Sequence, residues 1–176
     1  MTQLEHMRRA AAVKILILDV DGVLTDGSLT YGADGEVTKT FNVLDGLGIE
    51  LLQKTGVAVA IISARKSPVV VRRAADLKIM HVYQGTHDKR IAFAALLEAT
   101  GAGAEQCGYI GDDVIDLPLL QKVGFAVAVP SGHAEVQHRA HYVTRANGGR
   151  GAVREVCDLL MRAQGTYDAA LAPYFA

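Results

Sequence analysis

Two acidic motifs, Asp19-Val20-Asp21-Gly22 and Gly111-Asp112-Asp113-Val114-Ile115-Asp116, each follow directly on a run rich in apolar residues. Carboxylates delivered side by side to the end of an apolar sheet repel one another and resist burial unless a cation neutralises them. A hard, oxygen-seeking ion such as Mg²⁺ suits that donor set. Taken alone, Asp-x-Asp-Gly also reads as a metal-free Asx-type turn. The second acidic motif shifts the reading, because acids gathered from two strand ends are strongly self-repelling without a counter-ion. Two further groups add anion chemistry. The apolar run at 57–62 ends in Ser63-Ala64-Arg65, a hydroxyl donor beside a guanidinium fork. Lys89 stands near the start of a helical pattern, where a cation opposes the helix dipole and is better explained by an anionic ligand.

These residues need a scaffold that brings them together. Apolar runs at 13–18, 57–62, 106–111 and 124–129 read as strands of a parallel sheet buried on both faces, with shorter strands at 78–83 and 142–143. Open sheets of this kind bind ligands at the carboxyl ends of their strands, where all four groups would lie. Helical spacing follows Asp45, opens at Ser67-Pro68 with proline in the first turn, opens again at His87-Asp88-Lys89, and covers 152–161. Asp45 reads as the cap of its helix or as part of an anion site at the helix amino terminus. Arg72 and Arg73 read equally as a solvated pair or as phosphate contacts. Residues 29–41 place Thr, Tyr and Val on both sides of Asp34-Gly35, the pattern of a β-hairpin, and it is expected to act as a flap over the acids. Asn147-Gly148-Gly149-Arg150-Gly151 reads as a flexible turn. His133, His138 and His141 lack the spacing of a metal-ligand set and read as solvated. The tail, with Leu171, Pro173, Tyr174 and Phe175, is apolar enough either to fray or to dock on a partner.

With 176 residues, half of them hydrophobic, the chain suits one α/β domain over 1–176, with a tail at 163–176. A net charge of −1 gives no broad attraction for nucleic acid or anionic membrane, so anion recognition must be local. Cys107 and Cys157 form neither a zinc-ribbon pattern nor a disulfide framework and are expected as free thiols. The absence of an apolar leader or a run of membrane-spanning length predicts a soluble, cytoplasmic protein.

Asp19-Val20-Asp21-Gly22-Val23-Leu24-Thr25, Ser63, Lys89 and Gly111-Asp112-Asp113-x-x-Asp116, in that order, resemble the haloacid dehalogenase superfamily of phosphohydrolases. Asp45-Gly46-Leu47-Gly48 and 147–155 extend the likeness to the small capless phosphatases acting on 3-deoxy-D-manno-octulosonate 8-phosphate, over roughly residues 12 to 160. The resemblance implies a Rossmann-like α/β fold, with a parallel sheet, helices on both faces, the hairpin flap and no separate cap domain. It implies Asp19 as nucleophile, Asp21 as acid and base, and Ser63 and Lys89 as phosphate-binding catalytic groups. Mg²⁺ would be held by Asp19, Asp21 and Asp112, with Asp113 and Asp116 ordering the surroundings. Asn42, Asp45, Gly46, Arg65 and Arg73 carry over as substrate contacts, and the pathway implied is lipopolysaccharide sugar biosynthesis. Relatives of this kind are homotetramers whose neighbouring subunits cover the site, so the flap and tail are expected at subunit contacts.

Two departures bear on the substrate. The family has Arg where this chain has Leu44, and Thr-Gly-Arg where it has Ser63-Ala64-Arg65. The hydroxyl survives, whereas the missing arginine opens the alternative of another sugar-acid phosphate, such as a nonulosonate 9-phosphate. A phospho-accepting receiver domain also combines Asp, Ser or Thr, Lys and Mg²⁺ on a parallel sheet. It would place its acceptor on a later strand and lack an Asp two residues beyond.

Overall fold

The computed structural model describes residues 3–175; residues 1, 2 and 176, the outermost ends of the expected domain and tail, lie outside the described residues. The chain begins with α1 (Gln3–Ala11), β1 (Ile15–Leu18), β2 (Thr30–Gly32), β3 (Gly35–Thr38), α2 (Val43–Lys54), β4 (Ala58–Ser63) and α3 (Pro68–Asp76). It continues through β5 (His81–Gln84), α4 (Lys89–Thr100), β6 (Cys107–Gly111), α5 (Leu117–Leu120), β7 (Phe125–Ala128) and α6 (Ala134–Arg139). It ends with β8 (Tyr142–Val143), α7 (Ala152–Ala163) and α8 (Tyr167–Leu171). Six strands form a parallel sheet in the order β5-β4-β1-β6-β7-β8, while β2 and β3 pair as a separate antiparallel hairpin.

Strand periodicity divides the core in two. Leu16 and Leu18 of β1 pack with Ile49 and Leu52 of α2, Val70 and Ala74 of α3, and Val153, Val156 and Leu160 of α7. Ile15 and Ile17 point the other way, toward Phe93 and Leu96 of α4, Leu119 and Leu120 of α5, and Val136 of α6. Side chains alternate across a strand, so a central strand covered by helices on both faces must be apolar at every position. β1 meets that condition, with all four residues buried. It lies between β4 and β6 with Leu18 opposite Ile61 on one side and Ile110 on the other. The residues just beyond those three therefore emerge together at one sheet edge.

Several elements differ from the sequence reading. α1 was not expected; Glu5 and Arg9, one turn apart, pair at 3.7 Å, and Ala10 joins the core under α7. The strand expected from residue 78 starts at His81, because Lys78 adopts φ +56° and turns the chain out of α3. That left-handed position commonly ends a helix. Asn42, not Asp45, caps α2, its side chain accepting from Leu44 N–H at 2.8 Å. His141 is half-buried, not solvated, and its Nδ1 accepts from Ala126 N–H at 2.9 Å; burial holds its pKa below the usual value. The tail docks on its own chain: α8 packs on α7 and α2, with the Arg162 guanidinium 3.6 Å from the centroid of the Tyr167 ring. Tyr174 and Phe175 beyond it are exposed.

Candidate active site

Asp19 emerges from β1 with its N–H donating to the Ile110 carbonyl at 3.1 Å, which extends the β1–β6 ladder by one residue. The chain then doubles back over residues 20–24 in a turn closed by Thr25 N–H on Val20 O at 3.0 Å. Gly22 sits at φ +90°, and a Cβ there would lie 2.0 Å from Asp112 Oδ2. Glycine thus serves both the backbone conformation and the approach of the Asp112 carboxylate. The segment read as a flexible turn at 147–151 is a clamp on this loop. A Cβ on Gly148 would come 1.6 Å from the Gly22 carbonyl oxygen, Gly149 N–H donates to Val23 O at 2.9 Å, and Arg150 reaches Asp26 at 3.3 Å.

Carboxylate oxygens of Asp19, Asp112 and Asp116 lie within 4.8 Å of one another. Burial, reinforced by Asp116, raises the Asp19 pKa to about 7 despite Lys89 beside it; burial together with Asp19 and Asp116 raises Asp112 to about 8. Such a set holds excess negative charge that a hard divalent cation would relieve. Asp116 is already saturated. Its Oδ1 accepts from Lys89 Nζ at 2.5 Å and Tyr109 Oη at 2.6 Å, and its Oδ2 from the amides of Asp112 at 2.9 Å and Asp113 at 3.1 Å. Asp19 and Asp112 therefore carry the oxygens open to an ion. Asp116 fixes the loop and the lysine.

Lys89 enters from the first turn of α4, which Asp88 caps, and its ammonium lies 2.9 Å from Asp19 Oδ1. Burial works against its charge, yet the Asp19 and Asp116 carboxylates prevail and hold its pKa above the usual lysine value. Removing one partner from a buried pair of this kind costs about 3–5 kcal/mol, because the other charge is stranded.

On the outer side, Asp21 is half-buried and held between two cations. Lys39, just past β3, bonds its Oδ1, and Arg65 Nε approaches its Oδ2 at 3.6 Å. Arg65 also donates to Tyr31 Oη of the hairpin at 3.1 Å, so the expected flap touches the acids' own partners. Ser63, at the end of β4, is buried, and its Oγ accepts the Arg65 N–H at 3.3 Å. Asp19, Asp21, Ser63, Arg65, Asp112 and Asp113 line one open cleft of about 270 Å³. Asp113 is exposed there and accepts from Val114 N–H at 2.7 Å, starting its own turn. A larger hollow of about 420 Å³ lies between Gln53 of α2 and Leu77, away from these acids.

Of the five residues carried over as substrate contacts, Arg65 alone lines the cleft. Asp45 is buried and accepts from Arg154 N–H at 2.8 Å and Gly151 N–H at 3.4 Å, capping α7 instead of its own helix. Arg73 covers Gly46, donates to Asn42 O at 3.3 Å and lies over the Phe41 ring. Asn42 Nδ2 reaches Gly149 O at 3.4 Å. These four residues join α2, α3 and α7 behind the loop that follows Asp19. Tyr109, missed in the sequence, is the largest fully buried side chain of the core. Its signal was a phenol inside an apolar strand, which requires a hydrogen-bond partner.

Residues 70–156 match the family model described as haloacid dehalogenase-like hydrolase. The chain is 52% identical to the 3-deoxy-D-manno-octulosonate 8-phosphate phosphatase KdsC of Escherichia coli, over 93% of this chain and 87% of that one. It superposes on the crystal structure of the same phosphatase from Yersinia pestis with a TM-score of 0.91 at 48% identity, covering 93% of this chain and 89% of that one. The Moraxella catarrhalis phosphatase, solved with magnesium, phosphate and KDO, gives a TM-score of 0.95 at 41% identity, covering 98% and 99%. These relatives are hydrolases, and the receiver reading falls away. A parallel sheet with the Asp-x-Asp motif after its central strand, a lysine bridging two acids and relatives matching almost end to end lead to one assignment: the chain belongs to the haloacid dehalogenase-like hydrolases, in the family of 3-deoxy-D-manno-octulosonate 8-phosphate phosphatases.

Proposed function

We infer that this protein hydrolyses 3-deoxy-D-manno-octulosonate 8-phosphate to the free sugar acid and inorganic phosphate, a step in making the lipopolysaccharide sugar. The observation that carries the reading is the convergence of Asp19, Ser63 and Asp112 on one cleft, with Lys89 bonded directly to Asp19.

In the reaction we propose, an Asp19 carboxylate oxygen attacks phosphorus in line, forming an aspartyl-phosphate as the bond to the sugar oxygen breaks. Asp21, having taken up a proton, gives it to the departing alkoxide. It then removes one from the water that attacks the aspartyl-phosphate, and Asp19 and phosphate are regenerated. The Ser63 hydroxyl and the Lys89 ammonium donate to the non-bridging oxygens, where charge gathers in the transition state. Asp19 and Asp112 carboxylates and the Asp21 carbonyl would hold Mg²⁺, with Asp113 and Asp116 ordering the neighbouring groups. When bound, the ion supplies charge that lets an anionic nucleophile meet an anionic phosphate. Arg65 contacts the sugar acid. Asn42, Asp45, Gly46 and Arg73 support recognition by fixing the base of α2.

The exposed Leu29 and Tyr31 of the flap and Tyr174 and Phe175 of the tail are proposed contacts between subunits of a homotetramer that covers the cleft. Light scattering coupled to gel filtration tests it; a monomer at micromolar concentration would refute it. No helix among the described residues is long and apolar enough to cross a membrane, and both cysteines are free and buried, in keeping with a cytoplasmic protein.

Leu44, 54% exposed at the start of α2, favours a second reading, in which the physiological ester is a nonulosonate 9-phosphate. Measuring kcat/KM for both sugar phosphates with Mg²⁺ decides between them. A preference for the eight-carbon ester is expected, and a preference for the nine-carbon one replaces the substrate while keeping the chemistry.

A further inference from the structure

We propose that Tyr109 is a positioning residue of the reaction, acting through Lys89. The inference rests on the phosphatase reading, in which Lys89 donates to the phosphoryl group. Lys89 has three ammonium hydrogens and three acceptors around it: Asp19 Oδ1 at 2.9 Å, Asp116 Oδ1 at 2.5 Å and Tyr109 Oη at 3.0 Å. The direction of each bond follows from chemistry. An ammonium only donates, so the single phenolic hydrogen of Tyr109 must go to the Asp116 carboxylate, 2.6 Å away.

Lys89, Tyr109 and Asp116 thus form a closed triangle with every buried donor and acceptor used. Lys89 is only 1% exposed, and Tyr109 and Asp116 are fully buried. Tyr109 lies in the middle of β6, behind the lysine and away from the cleft. Two of the ammonium's hydrogens are held from the rear, and the third, which meets Asp19 Oδ1 here, is the one left on the cleft side to donate to a phosphoryl oxygen. An ammonium turns freely about its last carbon–nitrogen bond, and a carboxylate alone accepts it from many directions. The phenol removes that freedom. Replacing it with phenylalanine keeps the ring and its packing, deletes one donor to Asp116 and one acceptor for Lys89, and lets the ammonium settle onto Asp116.

The test is Tyr109→Phe, assayed with 3-deoxy-D-manno-octulosonate 8-phosphate and Mg²⁺, alone and combined with Lys89→Met. The single variant is expected to fold with a melting temperature close to that of the parent, to lose about tenfold in kcat and to change KM by less than about threefold, as for a hydrogen bond to a charged group in a water-poor site. In the Lys89→Met background the same change is expected to cost less than about twofold, since its intermediary is gone. Should Lys89→Met be too unstable to assay, Lys89→Gln serves that arm. An unchanged kcat in Tyr109→Phe overturns the proposal. So does an undiminished tenfold loss without the lysine, or a Tyr109→Phe protein that fails to fold, because either makes the residue structural only. If Lys89→Met itself keeps full activity, the phosphatase assignment of Lys89 fails, which is a distinguishable result.

Discussion

Asp19 and Asp21 are two residues apart and live in opposite surroundings. Asp19 is only 6% exposed and leans on a wall made of α4, β6 and the turn that follows β6, in which Lys89, Tyr109 and Asp116 are mutually bonded. Asp21 faces the cleft and is held by side chains from outside the parallel sheet and its helices: Lys39 beside the hairpin and Arg65 from the loop after β4. In the reaction proposed above, Asp19 must be aimed before the ester arrives, and a fully bonded interior aims it with little reorganisation. Asp21, as the proposed acid and base, must change partners within one turnover. Its holders, Lys39 and Arg65, come from beside the hairpin and from a loop, outside that bonded interior.

The largest effect should come from breaking the inner wall's business end. Asp19→Asn is expected to lower turnover by about three orders of magnitude or more, with the far-ultraviolet spectrum and gel-filtration volume unchanged. Retained activity would remove Asp19 as the nucleophile. Asp21→Asn sharpens the comparison, because p-nitrophenyl phosphate needs little help from an acid. Its first step should survive far better than that of the sugar phosphate.

A second test uses pH without metal. Asp19 and Asp112 have folded-state pKa values of about 7 and about 8, raised from 3.8, so the folded protein retains protons that the unfolded chain releases. By linkage, these two groups make chelator-treated protein less stable as pH rises from about 4 to about 8. Mg²⁺ replaces those protons, so it should raise the melting temperature more at pH 8 than at pH 5. Equal shifts at both would count against an ion between the two acids.

Asp45→Ala comes next. The carboxylate is buried, and burial raises its pKa while the bonds to the start of α7 oppose the rise. Losing this cap should cost about 2 kcal/mol in urea unfolding, with kcat per folded molecule largely kept. A loss of activity without a loss of stability would return Asp45 to the substrate. The smallest structural effect is expected of Leu44→Arg at its exposed position, within about 0.5 kcal/mol of stability. If the substrate's carboxylate passes near α2, KM should fall several-fold.

The parts of this arrangement that were legible are those whose signal is local. Unbroken apolar runs followed at once by acids marked β1 and β6, and a lysine misplaced for its own helix dipole pointed to negative partners, which are Asp19 and Asp116. What escaped depends on partners distant in the chain. Asp45 looked like the cap of α2 because its spacing fits; its true partners, Gly151 and Arg154, are 106 and 109 residues away. The stretch at 147–151 looked flexible because glycine is flexible in isolation. Here it is glycine because the Gly22 carbonyl leaves no room for a side chain. Tyr109 was absorbed into a strand, since periodicity records burial and not what a hydroxyl must find there.

The Gly148 clamp has a consequence for how the enzyme comes into being. A ribosome delivers Asp19 early, but the strand that flanks it on one side, β6, and the segment that locks its loop come much later, with Arg150 meeting Asp26 across 124 residues. A nascent chain that has emerged only through α4 therefore carries Asp19 without the strand and the clamp that place it. If the proposed reaction holds, activity is expected only once the last third of the polypeptide has emerged, and products truncated before Gly148 are expected to be inactive.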